Sequence, residues 1–238
     1  MIADGQTLVK FSFVVEVTDQ TRYDTLPRGL RAGVMNLGIF GGSFDPIHNG
    51  HLRLAECCLQ QAKLDEIWFT PAAQQPHKPA GPKAEETHRC GMIQQAILNH
   101  SAFRLSRLEV ARGGVSFTVD TLRAIQADHP HDQLHFLMGA DALRDFPNWH
   151  KPGEICQLAR PIVAHRAGES ASNLRLLKEL LDQAGCVTEA TQIDMPEVAI
   201  SSSLIRNRIR AGDSIEGLAP EPVIAYIERH QLYRRPCS

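Results

Sequence analysis

Two stretches of this 238-residue chain combine residue types suited to holding and transforming a phosphate. The first is Gly41-Gly42-Ser43-Phe44-Asp45-Pro46-Ile47-His48-Asn49-Gly50-His51. A glycine pair lets backbone N–H groups come close to a ligand, and a helix starting just beyond it adds unpaired N–H groups and a positive dipole end. His48 and His51 stand three apart at that helix start and project from one face. Gly50 between them leaves room for a flat ring or a phosphate against the backbone. The second stretch is Ile200-Ser201-Ser202-Ser203-Leu204-Ile205-Arg206. Serines ahead of a helix are good N-caps, and Arg206, about one turn inside, can carry its guanidinium to an anion held at the helix start. Taken singly, a Gly-Gly turn and a serine-capped helix are ordinary structural devices. The ordered run of eight specified residues from Gly41 to His51 is far more specific than a lone glycine motif.

These residues must be positioned by regular elements, and the pattern along the chain names them. Leu37 to Phe40 is a short apolar run that stops at Gly41-Gly42, after which Leu52, Ala55, Leu59 and Ala62 recur at helical spacing. Ile67-Trp68-Phe69 reads as a second strand closed by Pro71, followed by a loop with Pro76, Pro79 and Pro82. A helix carrying Met92, Ile93, Ala96 and Ile97 follows, then a strand over Phe103 to Val110 and a helix face of Val119, Leu122 and Ile125. Leu134 to Met138 and Pro161 to Ala164 read as buried strands. A polar helix through Leu174, Leu177 and Leu181 comes before the serine run, a basic helix, a Pro220-Pro222 break and a last helix to His230. Alternation of this kind predicts an α/β fold with a parallel sheet and helices on both faces, because parallel strands need crossover connections. Residues 1–34 fall outside the alternation, which begins after Met35. They read as a weakly ordered extension, with Phe11 to Val17 as the one alternative strand, ahead of a domain over 35–238.

Composition bounds the partners. Twenty-five Lys and Arg against 27 Asp and Glu give a formal charge of -2, so no global field draws the chain to nucleic acid or to an anionic membrane. No stretch approaches the length of a transmembrane helix. The six cysteines, Cys57, Cys58, Cys90, Cys156, Cys186 and Cys237, show no C-x-x-C spacing and are expected to be reduced thiols of a cytoplasmic protein. The 11 histidines show no zinc-ligand spacing, so no resident metal is expected.

The run from Gly41 to His51 resembles the signature of the H-x-G-H nucleotidyltransferases, and its G-G-x-F-D-P-x-H-x-G-H form resembles the bacterial nicotinate-nucleotide adenylyltransferase family. The second stretch resembles that family's I-S-x-T/S-x-I-R motif, which holds the ATP triphosphate. Shorter matches are Pro76-His77-Lys78 to a phosphate-reaching loop, Ser116-Phe117-Thr118 with Asp120-Thr121-Leu122 to S-Y-T-x-D-T-L, and Gly139-Ala140-Asp141 with Trp149 to a G-x-D and tryptophan dinucleotide site. The resemblance implies a Rossmann-like doubly wound sheet and transfer of AMP from ATP to nicotinate mononucleotide, with Mg²⁺ carried on the ATP. It implies catalytic roles for His48, His51, Lys78 and Arg206. ATP would be bound by Gly41, Gly42, Ser43, Phe44, Gly139, Ile200, Ser201, Ser202 and Ser203. The mononucleotide would meet His77, Phe117, Thr118, Asp141, Trp149 and Arg166. One departure stands out, since Ala72-Ala73 follows Pro71 where the family carries an asparagine. The rival readings are a related H-x-G-H adenylyltransferase acting on another phosphate such as phosphopantetheine, and a non-catalytic nucleotide sensor that kept the ATP cradle.

Overall fold

The protein is described here by a computed structural model covering residues 33–76, 81–166, 178–186 and 190–235, without the side chains of residues 140, 141, 165 and 166. The prefix strand considered over Phe11 to Val17, and Leu174 and Leu177 of the polar helix, lie outside the described residues. Six strands form one sheet: β1 (Asn36–Gly42), β2 (Glu66–Pro71), β3 (Phe103–Leu105), β4 (Gln133–Gly139), β5 (Arg160–Arg166) and β6 (Thr191–Met195). Their order is β3-β2-β1-β4-β5-β6, and each neighbouring pair is parallel. The order reverses direction between β1 and β4, and in a doubly wound sheet the crevice beyond the carboxyl ends of those two strands is where a ligand sits.

Strand alternation divides the core into two layers. Phe40, Ile67, Phe69, Leu137, Ile162 and Ile193 face α1 (Asn49–Gln61) and α2 (Glu86–Ile97). The same layer takes in α8 (Ser202–Ala211) through Ile205 and α9 (Glu221–Arg229) through Val223 and Ile227. Leu37, Ile39, Trp68, Leu134, Phe136, Met138 and Val163 face the other way. They meet α4 (Thr118–Asp128), the short α5 (Ala140–Asp145), α6 (Pro152–Leu158) and the helical residues 178–183, here α7. Both faces being covered is why β2 is buried along its whole length instead of alternating in exposure.

Two expectations are corrected. The strand expected over Phe103 to Val110 stops at Leu105, and Leu108–Arg112 is a helix, α3. Ser106 N–H makes the final ladder bond, to Phe69 O, and the chain then turns so that Leu108 and Glu109 point inward. The expectation of reduced thiols also fails in part, because Cys156 on α6 and Cys186 after α7 are joined in a disulfide. Their Cα atoms lie 5.4 Å apart across a sequence separation of 30, a distance a bridge requires and one that spacing in the sequence does not reveal. Cys57, Cys58 and Cys90 are buried and outside any disulfide. Among the described residues no helix is long and apolar enough to cross a membrane.

Candidate active site

The crevice is floored by glycines. Gly41, near the end of β1, and Gly139, at the end of β4, have nothing within 4 Å of where a Cβ would sit, so a ligand can lie directly on both strand ends. Beyond Gly42 the chain enters α1 with His48 as its N-cap, in extended conformation. The His48 N–H donates to His51 Nδ1 at 3.2 Å, which fixes Nδ1 as an acceptor and leaves Nε2 of His51 to carry the proton. The two rings stack with centroids 3.7 Å apart. The space at Gly50 is therefore not open to a ligand as expected, because a Cβ there would lie 3.0 Å from His48 Nδ1. Gly50 makes room for the histidine pair itself.

Burial sets the charge of that pair. Desolvation lowers His48 from 6.5 to about 4, and desolvation followed by the neighbouring His48 holds His51 well below its ordinary value. Both rings are neutral at pH 7, so they act as directed N–H donors and not as cations. Phe44 is placed differently from its expected role. Its ring is 1% exposed and packs against Phe40, His51 and Phe69, so it supports the histidine and only its backbone can meet a ligand. Its φ of +46° is left-handed, and the turn accepts that strain to bury the ring.

The serine run forms the other wall. Ser201 is the N-cap of α8 and its Oγ accepts the Leu204 N–H at 3.1 Å, a cap worth about 1 kcal/mol. Ser202 Oγ donates to Pro46 O at 2.9 Å, which seats α8 directly on the first motif. Arg206 Nη1 donates to Asp45 O at 2.6 Å and Nη2 donates to Ser203 Oγ at 3.1 Å, while Nε is buried without a partner. Ile200 packs against the core behind this wall. Ser43 contributes its carbonyl, which accepts from Nη1 of the fully buried Arg89 at 2.9 Å.

The opposite end of the crevice is built from α4 and the loop after α5. Phe117 is the N-cap of α4, Thr118 its first residue, and the Phe117 ring lies 4.7 Å from that of His150. Trp149 is half-buried, with its indole edge-on to Phe146 at 5.4 Å. Ala72 and Ala73 are buried at the end of β2, where Ala73 N–H donates to Ser116 Oγ at 3.0 Å. Behind them Glu109 accepts the Thr121 hydroxyl at 2.7 Å, and burial pushes its carboxyl upward. Asp141 stands in the first turn of α5 and Arg166 ends β5, both at the carboxyl edge of the sheet. His77 and Lys78 lie outside the described residues.

The sequence is similar to known proteins over this same span. The cytidylyltransferase-like family profile matches residues 39–208. A probable nicotinate-nucleotide adenylyltransferase of Synechococcus sp. (strain JA-3-3Ab) is 40% identical over 202 residues, 84% of this chain and 95% of the relative. One of Salinibacter ruber is 42% identical over 202 residues, 84% of this chain and 98% of the relative. The chain belongs to the nicotinate-nucleotide adenylyltransferase family. The fold agrees: the Plasmodium falciparum nicotinic acid mononucleotide adenylyltransferase complexed with NaAD superposes with a TM-score of 0.68 at 24% identity, covering 84% of this chain and 97% of that one. Within the family frame, residues the motif reading did not assign become prominent. The buried Asp45, Arg89 and Glu109 and the half-buried Tyr233 are polar groups bonded to or beside the motif residues. Asp45 lay inside the motif, but its partners are far away in sequence and left no local signal.

Proposed function

We propose that the chain transfers the adenylyl group of ATP to nicotinate mononucleotide, with the triphosphate between the β1–α1 turn and the start of α8, and the pyridine ring beside Trp149 and the start of α4. The observation that carries this reading is the seating of α8 on the first motif through Ser202 to Pro46 and Arg206 to Asp45, above the open Gly41 and Gly139. That arrangement brings two helix N-termini and the Arg206 guanidinium to one side of the crevice.

The acceptor's phosphate is already ionised, so its oxygen attacks the α-phosphorus of ATP without a general base. One P–O bond forms and the bond to pyrophosphate breaks, leaving the charge on pyrophosphate. Catalysis then rests on positioning and on donors aimed at the developing charge. Neutral His48 and His51 suit that task, because a neutral imidazole donates an N–H without holding the product as a cation would. Arg206 and Lys78 supply positive charge to the departing pyrophosphate, and Gly41, Gly42, Ser43 and Gly139 leave backbone free to approach ATP. Magnesium enters with the triphosphate as part of the substrate and neutralises phosphate charge; Asp45, whose oxygens are filled by protein donors, is not its ligand.

At the other end, the start of α4 offers N–H groups and a positive dipole end to the carboxylate of the acceptor, and Trp149 lies along its ring. His77, Asp141 and Arg166 belong to this end as contacts to ribose and phosphate. Use of ATP as donor supports a cytoplasmic site of action. The test is pyrophosphate release from ATP with nicotinate mononucleotide, nicotinamide mononucleotide or phosphopantetheine as acceptor. Turnover is expected with the nicotinate compound at a kcat/KM roughly 100-fold above the amide, the equivalent of two charge-assisted hydrogen bonds. A ratio near one, or turnover with phosphopantetheine alone, overturns the acceptor assignment.

A further inference from the structure

Asp45 is 3% exposed, yet both of its carboxylate oxygens are engaged. Oδ1 accepts the Ala84 N–H at 3.0 Å and the Tyr233 hydroxyl at 2.8 Å. Oδ2 accepts the Lys83 N–H at 2.7 Å and lies 3.8 Å from Arg206 Nη1, which also donates to the Asp45 carbonyl. One side chain thus joins four segments: the glycine turn, Lys83-Ala84 ahead of α2, the start of α8, and the segment after α9. The last of these is the least expected, since Tyr233 is 188 residues away and belongs to no phosphate motif. Its φ of +63° is unusual for a bulky residue and is held where the hydroxyl meets Asp45. Burial first, and Asp45 second, push the Tyr233 phenol upward, so it stays a donor across the working pH range.

We infer that Tyr233 is a positioning residue for ATP, acting through Asp45 on Arg206. The Tyr233 hydroxyl fixes the rotamer of Asp45, and Asp45 in turn holds the guanidinium by its carbonyl and carboxylate. Without the hydroxyl, Oδ1 keeps one donor and the carboxylate is free to rotate, so Arg206 loses its fixed aim while keeping its charge. The start of α4 and Trp149 share none of these bonds, and Lys83 N–H and Ala84 N–H keep their acceptors on Asp45. This rests on the assignment of Arg206 to ATP.

The experiment is a cycle of Tyr233→Phe, Arg206→Ala and the double variant, reading KM for ATP and for nicotinate mononucleotide separately. Tyr233→Phe is expected to raise KM for ATP roughly 3- to 10-fold in the otherwise native enzyme and by less than about 2-fold when Arg206 is already Ala, the non-additivity of groups that act as one unit. KM for the mononucleotide is expected to stay within about 2-fold of its starting value in Tyr233→Phe. An equal rise in both KM values, or the same rise with and without Arg206, shows a general loosening and overturns the inference, as does no rise at all. If Arg206→Ala leaves KM for ATP unchanged, the assignment of Arg206 has failed, and a rise in Tyr233→Phe alone then shows that Tyr233 acts by another route, which also overturns it. Should Tyr233→Phe melt below the assay temperature, Asp45→Asn breaks the same path from its middle and is expected to raise KM for ATP selectively; an unselective change overturns the inference there too.

Discussion

The two ends of the crevice each rest on a buried carboxylate, and the two are treated in opposite ways. Asp45 at the proposed triphosphate end is met by two backbone N–H groups, a phenol and a guanidinium. Glu109 at the acceptor end is met chiefly by the Thr121 hydroxyl, with Arg112 beyond, and burial dominates so that its carboxyl is pushed upward. The first is a junction between distant parts of the chain; the second steadies the entry into one helix. The end proposed to aim charge at a polyphosphate is braced by charge-assisted bonds, whereas the end proposed to receive a flat ring carries Phe117 and Trp149, with Phe146 buried behind the indole.

The largest effect that this contrast predicts is from Asp45→Ala, which strands the Lys83 and Ala84 N–H groups and the Tyr233 hydroxyl and takes the carboxylate away from Arg206. A cost of about 3–5 kcal/mol is expected, lowering Tm by roughly 10 °C in a thermal melt; a change within 2–3 °C would erase the difference between the two ends. His51→Ala, which removes a donor aimed at transferring charge, should lower kcat at least about 100-fold with the fold intact. Turnover near the native rate would show that the histidines only shape the turn.

The pH dependence of stability comes next. Above pH 6.5 the His48 ring is neutral in both folded and unfolded chains. Between 6.5 and about 4 the unfolded chain binds a proton that the folded one refuses, so stability falls with pH through that window by up to about 3 kcal/mol. Glu109 has the opposite sign, since its raised folded value lets acid relieve the cost of its buried charge. Denaturant midpoints of the native protein and of His48→Gln across this range measure the histidine share, and parallel curves would refute it. Trp149→Ala should raise KM for the mononucleotide about 10-fold while leaving that for ATP within 2-fold, reflecting loss of one aromatic face. The smallest effect is that of Glu109→Gln, which keeps an acceptor for Thr121 without buried charge and should melt at or slightly above the native temperature at pH 7.

Much of this was legible in the sequence because it is contiguous there. The turn from Gly41 to His51 and the serine-capped start of α8 are local devices, and the alternation of apolar runs places them at the ends of parallel strands. What stayed hidden depends on distance along the chain. Asp45 finds partners 38, 161 and 188 residues away, and no local pattern announces them. Cys156 and Cys186 look like any two isolated cysteines until α6 and α7 are packed together. Gly50 could be read as space, but only the rotamer of His48 tells which group fills it. The three-residue β3 failed for a related reason, since the apolar run to Val110 fits a strand until Glu109 is seen to find its hydroxyl partner by turning inward.

The bond between Tyr233 and Asp45 has a consequence for how the protein is made. During synthesis the central carboxylate of the first motif waits for a hydroxyl 188 residues further along the chain. Pairing of β1 with β4 likewise waits for residues 133–139. A chain that already carries both histidines but has not yet placed Tyr233 therefore has a less firmly braced Asp45. Contacts so far apart in sequence form slowly, so the bracing of Asp45 by Tyr233 follows the local turn that carries the first motif.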